Sequence, residues 1–177
     1  GGKTWKKVNC DVLPKVSEGE AAFATSNTNL TIKGKSIFMV SGGKKSRVFV
    51  SKDFGATWKV YETPIVQGEE MTGIFTADFY NKKIGIIAGG NYMKQDQNWA
   101  NKAITKNGGK TWKLISENEA FGYASCVQFV PNSKGKQLIS VGGTGMFYSA
   151  DFGKSWTKFS DDKDFFTFRF ESDKVFY

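Results

Sequence analysis

The stretch Ser51-Lys-Asp-Phe-Gly-Ala-Thr-Trp58 is one of three copies of the same pattern in this chain. Thr105-Lys-Asn-Gly-Gly-Lys-Thr-Trp112 and Ser149-Ala-Asp-Phe-Gly-Lys-Ser-Trp156 share its form, S/T-x-D/N-x-G-x-S/T-W, and Gly1-Gly-Lys-Thr-Trp5 matches its end. The tryptophans at 5, 58, 112 and 156 are therefore spaced by 53, 54 and 44 residues. A period of this length is typical of β-propeller blades and other repeat arrays.

The repeated octapeptide predicts a structural turn and not a reacting centre. Its carboxylate or amide accepts hydrogen bonds from main-chain N–H groups around the turn, and its glycine supplies the positive φ. Asn107 favours this interpretation, because an amide can cap a turn but cannot replace a catalytic carboxylate. Structural roles are predicted for Ser51, Asp53, Gly55 and Trp58, for Thr105, Asn107, Gly109 and Trp112, and for Ser149, Asp151, Gly153 and Trp156.

Four short strands are predicted in each repeat, with polar, glycine-rich turns and no helical period. The first is a stretch of small and aromatic residues, the second an apolar run that ends in paired glycines, and the third and fourth flank the octapeptide. First strands are predicted at 21–25, 73–77, 123–127 and 165–170; second strands at 36–43, 84–90 and 137–143; third strands at 47–51, 102–105 and 146–149; fourth strands at 59–61, 113–115 and 157–159.

Four antiparallel strands per repeat indicate an all-β fold, a β-propeller of four-stranded blades. The predicted organisation of residues 1–177 is one propeller fragment of about three complete blades with partial ones at each end. Six to eight blades are expected in the whole propeller, and a closed four-bladed ring is the less favoured alternative. The predicted ranges are 1–13 for the last strand of a preceding blade, 14–62, 63–115 and 116–160 for three blades, and 161–177 for the start of the next.

The composition excludes several classes of function. The chain has no histidine, two cysteines and a net charge of +8, so the usual general base and the common zinc sites are missing. The lysines are scattered and only two arginines are present, which does not favour nucleic-acid binding. No apolar run is long enough to span a bilayer. Neither a nucleotide-binding loop nor a metal-ligand cluster is present, so no cofactor is expected.

The octapeptide resembles the Asp-box, or BNR, repeat of sialidases, sortilin-type receptors and some glycoside hydrolases. With its paired glycines before the third strand, the repeat is similar to bacterial propellers related to the photosystem II assembly and stability factor, which are often labelled oxidoreductase. The resemblance implies a β-propeller whose Asp-boxes lie on the rim, away from the ligand site. It also implies an exported bacterial protein, periplasmic, outer-membrane-associated or secreted; no signal peptide is found in this chain.

Binding residues are predicted on the face opposite the Asp-box turns. The loops before each first strand carry paired acids, at Glu18 and Glu20, Glu69 and Glu70, Glu117 and Glu119, and Asp162 and Asp164. These acids are interpreted either as an acidic collar around the axis or as ordinary loop residues. The long insertion 91–100 combines aromatic and polar groups that suit a sugar or a peptide. The candidate binding residues are Glu20, Arg47, Glu70, Tyr92, Asp96, Trp99 and Tyr123; no catalytic residue is assigned.

Two functions from different classes remain open at this point. The favoured one is a non-catalytic scaffold that binds a protein or peptide, for example as an assembly factor. The alternative is an exported glycoside hydrolase or glycan-binding protein of the sialidase-like type. A sialidase would need three arginines on its substrate carboxylate, whereas this chain has only Arg47 and Arg169. Other glycosidases need only two carboxylates at a suitable separation.

Overall fold

Antiparallel sheets built from short consecutive strands make up the regular structure. In the computed structural model, which describes residues 2–5, 7, 9–23 and 26–177, the first sheet has the strand order 30–33, 36–40, 47–51, 59–62, and the third has 126–129, 138–142, 145–149, 157–160. The second has the order 72–79, 85–91, 102–105, 113–114 and is extended beyond 72–79 by the short strands 42–43 and 20–21. The sequence prediction of an all-β propeller architecture with four-stranded blades is confirmed.

The strands are short, as expected for blades joined by tight turns. The first sheet contains β2 (Leu30–Lys33), β3 (Ser36–Val40), β5 (Arg47–Ser51) and β6 (Lys59–Glu62). The second contains β1 (Glu20–Ala21), β4 (Gly42–Gly43), β7 (Thr72–Phe79), β8 (Gly85–Asn91), β9 (Lys102–Thr105) and β10 (Lys113–Leu114). The third contains β11 (Cys126–Phe129), β12 (Leu138–Gly142), β13 (Gly145–Ser149) and β14 (Thr157–Ser160). The predicted blade ranges stay a proposal.

The first strand of the first sheet lies later in the chain than predicted. The range 21–25 was expected to form it, but the strand that pairs with β3 is β2, Leu30–Lys33. Glu20 and Ala21 pair instead with the glycines of β4, and residues 24 and 25 lie outside the described residues. The cause is the alternating Leu-Thr-Ile-Lys segment followed by Gly34, whose φ of 63° permits a tight hairpin directly into β3.

The strands expected at the two ends of the chain are only partly formed among the described residues. Among the described residues of 1–13, Cys10–Val12 form a single 3₁₀ turn and no strand occurs; Gly1, Lys6 and Val8 lie outside the described residues, and a strand over 1–13 stays a prediction. Within 161–177, Phe170 and Phe176 form an antiparallel bridge, flanked by main-chain hydrogen bonds between Arg169 and Tyr177 in both directions at 2.8 and 3.1 Å and from Glu171 N to Val175 O at 3.0 Å. The end of the predicted first strand 165–170 therefore pairs with 175–177 as a short antiparallel segment.

Neighbouring sheets pack face to face through two apolar clusters. One cluster joins Phe38, Val48 and Val50 of the first sheet to the second sheet, where Phe79 stacks on Phe38 at 3.5 Å between ring centroids. The other joins Ile86 and Ala88 of the second sheet to residues of the third. The middle sheet is therefore covered on both sides, which explains why β8 is buried along its whole length.

The inner ends of the sheets meet through main-chain contacts at the paired glycines. Gly42 pairs with Gly73 of the second sheet, and Ala124 N donates to Gly89 O at 2.9 Å between the second and third sheets. A Cβ on Gly73 would lie 2.4 Å from the Gly42 Cα, so a side chain at this position would separate the two sheets. The glycine pairs noted in the sequence therefore permit close approach of consecutive blades.

Side chains of the first strands extend these contacts around the centre. Thr28 Oγ1 donates to Thr76 Oγ1 at 2.8 Å, and Val127 N donates to the same Thr76 oxygen at 3.1 Å. On the far side, Thr167 Oγ1 lies 3.2 Å from Asn27 Oδ1, which also accepts from Arg169 Nη2 at 3.0 Å. The first-strand regions of the first three repeats are thus hydrogen-bonded in order, and that of the fourth is hydrogen-bonded to the first, around one central space.

Candidate functional site

The Asp-box turns are closed hydrogen-bond systems. In the first copy, Gly55 N donates to Ser51 Oγ at 2.7 Å, and Thr57 donates to the Asp53 carboxylate from its main-chain N at 2.9 Å and from its hydroxyl at 2.6 Å. The indole N–H of Trp58 donates to Gly55 O at 3.0 Å. These hydrogen bonds, those from Thr57 first, lower the pKa of Asp53 to about 2.

The other two copies repeat these contacts. Thr111 N donates to Asn107 Oδ1 at 3.0 Å, and Ser155 N donates to Asp151 Oδ1 at 2.9 Å. The indoles of Trp112 and Trp156 donate to Gly109 O and Gly153 O at 3.0 and 2.9 Å. Each turn uses its polar groups internally, and an amide serves as well as a carboxylate. The polar groups of the three motifs therefore stabilise turns, and their hydrogen bonds leave no group of the motif free for catalysis.

Opposite ends of the sheets carry the Asp-boxes and the long loops. Each Asp-box turn donates to the hairpin between the first two strands of its sheet: Phe54 N to Lys35 O, Gly108 N to Lys83 O and Phe152 N to Lys136 O, at 2.8–3.0 Å. At the other end, Gly68 N donates to Gly43 O at 3.0 Å and Tyr123 N to Gln95 O at 2.8 Å. We call this second end the loop face.

A cavity of about 520 Å³ opens where the first-strand regions meet on the loop face. Phe23 and Phe75 stack in parallel at 3.9 Å between ring centroids, and Tyr123 meets Phe75 edge-on at 4.8 Å. Tyr92 in turn contacts Tyr123 edge-on at 5.3 Å. The described lining consists of Phe23, Ser26, Asn27, Met71, Phe75, Tyr92, Tyr123, Ser125, Phe166 and Thr167. None of these residues is charged, so the cavity is an aromatic site with neutral hydrogen-bonding groups.

Two of the candidate binding residues, Tyr92 and Tyr123, line this cavity together. Tyr123 is 5% exposed, and burial, together with the neighbouring Tyr92, raises its pKa to about 12. The phenol is therefore neutral across the physiological range and can act as a hydrogen-bond donor. Tyr92 lies at the rim and is 38% exposed. Their role in binding a ligand stays a prediction.

Glu20 and Arg47 are also brought together, but as an ion pair. Arg47 Nε donates to Glu20 Oε1 at 2.9 Å, Arg47 Nη2 donates to the other carboxylate oxygen, and Ser41 Oγ donates to Oε1 at 2.6 Å. Burial opposes ionisation of Glu20, but the hydrogen bond from Arg47 and those from Ser17 and Ser41 outweigh it and lower the pKa. The carboxylate is fully enclosed and holds the start of β1 beside the start of β5.

The remaining candidates, Glu70, Asp96 and Trp99, are exposed on the loop face and do not line the cavity. The 91–100 insertion that carries two of them contacts the third repeat: Asn118 N donates to Asn98 O at 3.2 Å, and Tyr123 N donates to Gln95 O at 2.8 Å. The insertion thus fixes the position of Tyr123. Of its aromatic residues, Tyr92 reaches the cavity and Trp99 does not.

An acidic collar is not assembled from the paired acids. Glu20 is enclosed by Arg47, Glu117 accepts from Ala100 N at 3.0 Å, and Glu69 accepts from Asn91 Nδ2 at 3.3 Å. No acidic side chain belongs to the described lining of the cavity. Among the described residues, no group of three or more potential metal ligands occurs. The interpretation of these acids as loop residues therefore agrees better with the contacts.

Sequence reasoning missed Phe23, Phe75 and Phe166 as site residues. Each is an aromatic residue within a segment predicted as a first strand, and the sequence signal was present in those segments. The missing information was direction: the alternation of a strand does not show whether a ring faces a neighbouring sheet or the central space. Lys102 was missed for another reason, since nothing in its surroundings in the sequence marks it as buried.

Lys102 is enclosed beside the loop that precedes Tyr123. Its ammonium donates to Asn101 Oδ1 at 2.8 Å, to Glu119 O at 3.0 Å and to Phe121 O at 3.4 Å. It also lies 4.7 Å from the centroid of the Phe121 ring. Burial lowers the pKa of Lys102 to about 8, although Glu117 and Glu119 oppose this shift. The buried ammonium organises the turn that leads into the cavity wall.

Comparisons with known proteins agree with this architecture. A model of the BNR/Asp-box repeat matches residues 147–158. An oligoxyloglucan-reducing end-specific xyloglucanase of Emericella nidulans is 31% identical over 123 residues, which cover 64% of this chain and 14% of the xyloglucanase. Among solved structures, the Niastella koreensis GH74 enzyme is 18% identical with a TM-score of 0.54, covering 74% of this chain and 22% of that one. YCF48 bound to a D1 peptide is 18% identical with a TM-score of 0.50, covering 74% and 41%.

The fold and the repeat together define the class: the chain is part of a β-propeller with Asp-box turns, and it resembles both the GH74 and the YCF48 propellers. It spans less than half the length of each of these proteins. No helix in the described part of the chain is long and apolar enough to cross a membrane.

Proposed function

We propose that this chain is a non-catalytic β-propeller scaffold that binds a peptide segment of a protein partner in the aromatic cavity on the loop face. The observation that carries this proposal is the lining of the cavity, which combines stacked aromatic rings with hydroxyl and amide groups and contains no described carboxylate. Such a site has the chemistry of recognition, because apolar surface supplies affinity and neutral polar groups supply orientation.

Hydrolysis is the less favoured function for a chemical reason. A glycosidase places two carboxyl groups about 5–10 Å apart on either side of the bond that it cleaves. Here the enclosed acid of the loop face, Glu20, is neutralised by Arg47, and the exposed acids lie outside the cavity lining. Neutral groups in the lining can hold a chain but cannot protonate a leaving group.

A peptide fits the cavity in size and chemistry. A volume of about 520 Å³ accommodates two or three side chains, and the rings of Phe75, Tyr92 and Tyr123 offer faces and edges to apolar groups. Ser26, Asn27 and Thr167 lie at the wall, where Ser26 Oγ donates to Phe75 O and Asn27 Oδ1 accepts from Thr167 and Arg169. A peptide N–H can still donate to the hydroxyl oxygens of Ser26 and Thr167, because each hydroxyl has two lone pairs. The structural likeness to YCF48 bound to a D1 peptide supports a peptide ligand, and the net charge of +8 favours association with an acidic partner.

A glycan is the second candidate ligand. Aromatic faces also stack on sugar rings, and the 31% identity to a xyloglucanase favours this alternative. Under it, the cavity would bind a xyloglucan oligosaccharide without cleaving it. Either ligand agrees with export from the cell, which we propose by analogy with such enzymes.

A direct test compares the two ligands on one protein. A peptide array and a panel of xyloglucan oligosaccharides are probed with the wild-type chain, with the variants Tyr92→Ala and Tyr123→Ala, and with Tyr177→Ala, an exposed tyrosine outside the cavity, as control. We expect peptide capture that falls about tenfold or more in the two cavity variants and is unchanged in the control. Release of reducing sugar from the oligosaccharides, or peptide capture that is equal in all four proteins, would overturn the proposal.

A further inference from the structure

Lys102 occupies a position that the other two repeats fill with an apolar side chain. Counted three residues back from the hydroxyl that begins each motif, the equivalent residues are Val48 and Met146. All three side chains are buried, and Lys102 is 1% exposed. Because an enclosed ammonium loses its hydration, a lysine at this otherwise apolar position indicates a role beyond packing.

The partners of this ammonium lie in the loop that leads into the cavity wall. We call residues 116–122 the wall loop, because Tyr123 of the cavity follows them directly. Lys102 Nζ donates to two main-chain oxygens of the wall loop, Glu119 O at 3.0 Å and Phe121 O at 3.4 Å. It also lies over the ring of Phe121. Strand β9 therefore holds the second half of the wall loop through this side chain.

The wall loop has a backbone conformation that its surroundings must hold. Ser116, Asn118 and Ala120 have φ angles of 46°, 59° and 63°, in the left-handed region that residues other than glycine seldom adopt. Each of these conformations costs free energy and persists only where surrounding contacts impose it. Weakening those contacts therefore favours a relaxed loop, which we call the released state.

The position of Tyr123 depends on the end of the wall loop. Gly122 lies so close to the 91–100 insertion that a Cβ would be 1.9 Å from Gln95 O, and Tyr123 N donates to the same oxygen at 2.8 Å. These contacts place the Tyr123 ring edge-on to Phe75, at 4.8 Å between centroids. A shift of Gly122 out of this contact would move one side of the cavity.

The charge of Lys102 affects the held and the released loop differently. Burial lowers the pKa of Lys102 to about 8 from the ordinary 10.5, and Glu117 and Glu119, the described charged groups that act on it, oppose the shift. In the released state the ammonium is hydrated, which favours the protonated form. Loss of the proton therefore favours the held loop, and the neutral amine keeps N–H groups that can donate to the carbonyls of the wall loop.

We propose that Lys102 is a positioning residue for the cavity: loss of its proton fixes the wall loop, and the fixed loop presents Tyr123 to the ligand. The ligand is the peptide of the proposed function, on which this role rests. A peptide that contacts Tyr123 selects the held state, so peptide binding and proton release from Lys102 favour each other.

The population of the released state can be measured without any ligand. NMR relaxation dispersion at the Ala120 methyl and the Tyr123 ring reports exchange between the two states on the microsecond-to-millisecond timescale. Ala120 packs against the apolar cluster between the second and third sheets, so its signal differs between the states. The 177-residue chain is measured at about pH 7 and about pH 9, alone and with a saturating peptide selected on the array, synthesised without groups that titrate in this range.

Two variants and a control separate the proton from the packing. Lys102→Met removes the ammonium and introduces the side chain that the third repeat has at Met146. Glu119→Gln keeps the main-chain oxygen that Lys102 contacts and removes a charge that favours the ammonium. Lys113→Met makes the first substitution at an exposed lysine of the neighbouring strand β10. Circular dichroism shows whether each variant is folded.

The expected pH dependence belongs to Lys102 alone. In the wild type and in Lys113→Met, the released population should fall about tenfold between about pH 7 and about pH 9, as a lysine with these two pKa values requires. In Lys102→Met it should not change with pH. In Glu119→Gln it should exceed the wild-type value at about pH 7 but not at about pH 9. Saturating peptide should suppress the dispersion at both signals.

Several results would overturn the role of Lys102. One is a wild type without dispersion at about pH 7, and another is a pH dependence that Lys102→Met retains. If Lys102→Met does not fold, a released population in Glu119→Gln no larger than in the wild type would overturn it. So would a peptide that binds and leaves the dispersion unchanged. Absence of peptide binding in all four proteins would overturn the proposed function instead, and the ligand-free measurements would still decide whether Lys102 holds the wall loop.

Discussion

Arg47 encloses the carboxylate of Glu20 with two guanidinium hydrogen bonds and thereby joins strand β1 of the second sheet to strand β5 of the first. We expect Glu20→Ala to lower the free energy of unfolding by about 3 kcal/mol, since it leaves a nearly buried guanidinium without its partner. Chemical denaturation measures the loss. The doubly substituted Glu20→Ala/Arg47→Ala protein should be more stable than the sum of the two single losses predicts; additive losses would contradict the pairing.

The same pair predicts an acid-sensitive contribution to stability. The folded state lowers the pKa of Glu20 below its ordinary value of 4.5, so the pair stabilises the fold above that value. This contribution is lost as the pH falls through the folded pKa. Unfolding curves of the wild type and of Glu20→Gln should converge as the pH falls below about 4, and curves that stay parallel would argue against it.

Close approach of the sheets at the paired glycines gives a prediction with a matched control. Gly73 and Gly68 both have positive φ, 126° and 113°, but a Cβ on Gly73 would lie 2.4 Å from Gly42 Cα whereas one on Gly68 meets nothing within 4 Å. Gly68→Ala should cost only the backbone conformation, about 1 kcal/mol. Gly73→Ala should cost about 1–3 kcal/mol more. Equal losses of stability in thermal unfolding would mean that the close approach is unimportant.

Lys102 predicts a stability that rises with pH. Its pKa is about 8 in the fold and 10.5 ordinarily, so between these values the unfolded chain binds more protons than the folded one and stability increases with pH. The full change amounts to about 3 kcal/mol at most. Lys102→Met should lack this increase while other groups titrate alike. The difference in the free energy of unfolding between wild type and Lys102→Met, measured by denaturation at pH 7, 8, 9 and about 10, isolates the contribution of Lys102. A difference that does not change with pH would show that Lys102 titrates normally.

The Asp-box predicts that an amide can replace its carboxylate. Asp53→Asn should retain the turn, because in the second copy Asn107 Oδ1 accepts the equivalent hydrogen bond from Thr111 N at 3.0 Å. Asp53→Ala removes the acceptor and should lower the melting temperature. The wild type should also lose stability as the pH falls from 3.8 towards about 2, the range between the ordinary and the folded pKa of Asp53. Asp53→Asn should lose less over that range. A loss of folding in Asp53→Asn would contradict the structural role of the motif.

The architecture was largely predictable because the repeat occurs three times in the sequence. Trp58, Trp112 and Trp156 mark the same turn, and the third strands at Arg47–Ser51 and Lys102–Thr105 were predicted to the residue. In the first repeat, the first strand was predicted at the wrong place, because both 21–25 and Leu30–Lys33 have a composition that favours a strand. The pairing of Leu30–Lys33 with β3 is decided by the tight turn at Gly34.

The site was only partly predictable, for a different physical reason. Tyr92 and Tyr123 lie on the loop face, but their contacts with Phe75 and with each other depend on how the second and third repeats turn around a common centre. The pairing of Glu20 with Arg47 joins residues 27 positions apart, and no periodicity reports it. Such relationships depend on the packing of whole sheets.

Binding in the aromatic cavity is tested most directly by following the ring signals of the six tyrosines by NMR while a peptide selected on the array is added. Tyr92 and Tyr123 should shift together and saturate, while Tyr61, Tyr80, Tyr148 and Tyr177 stay unchanged and the peptide remains intact. Saturable shifts at the other four tyrosines with none at Tyr92 and Tyr123 would contradict the account.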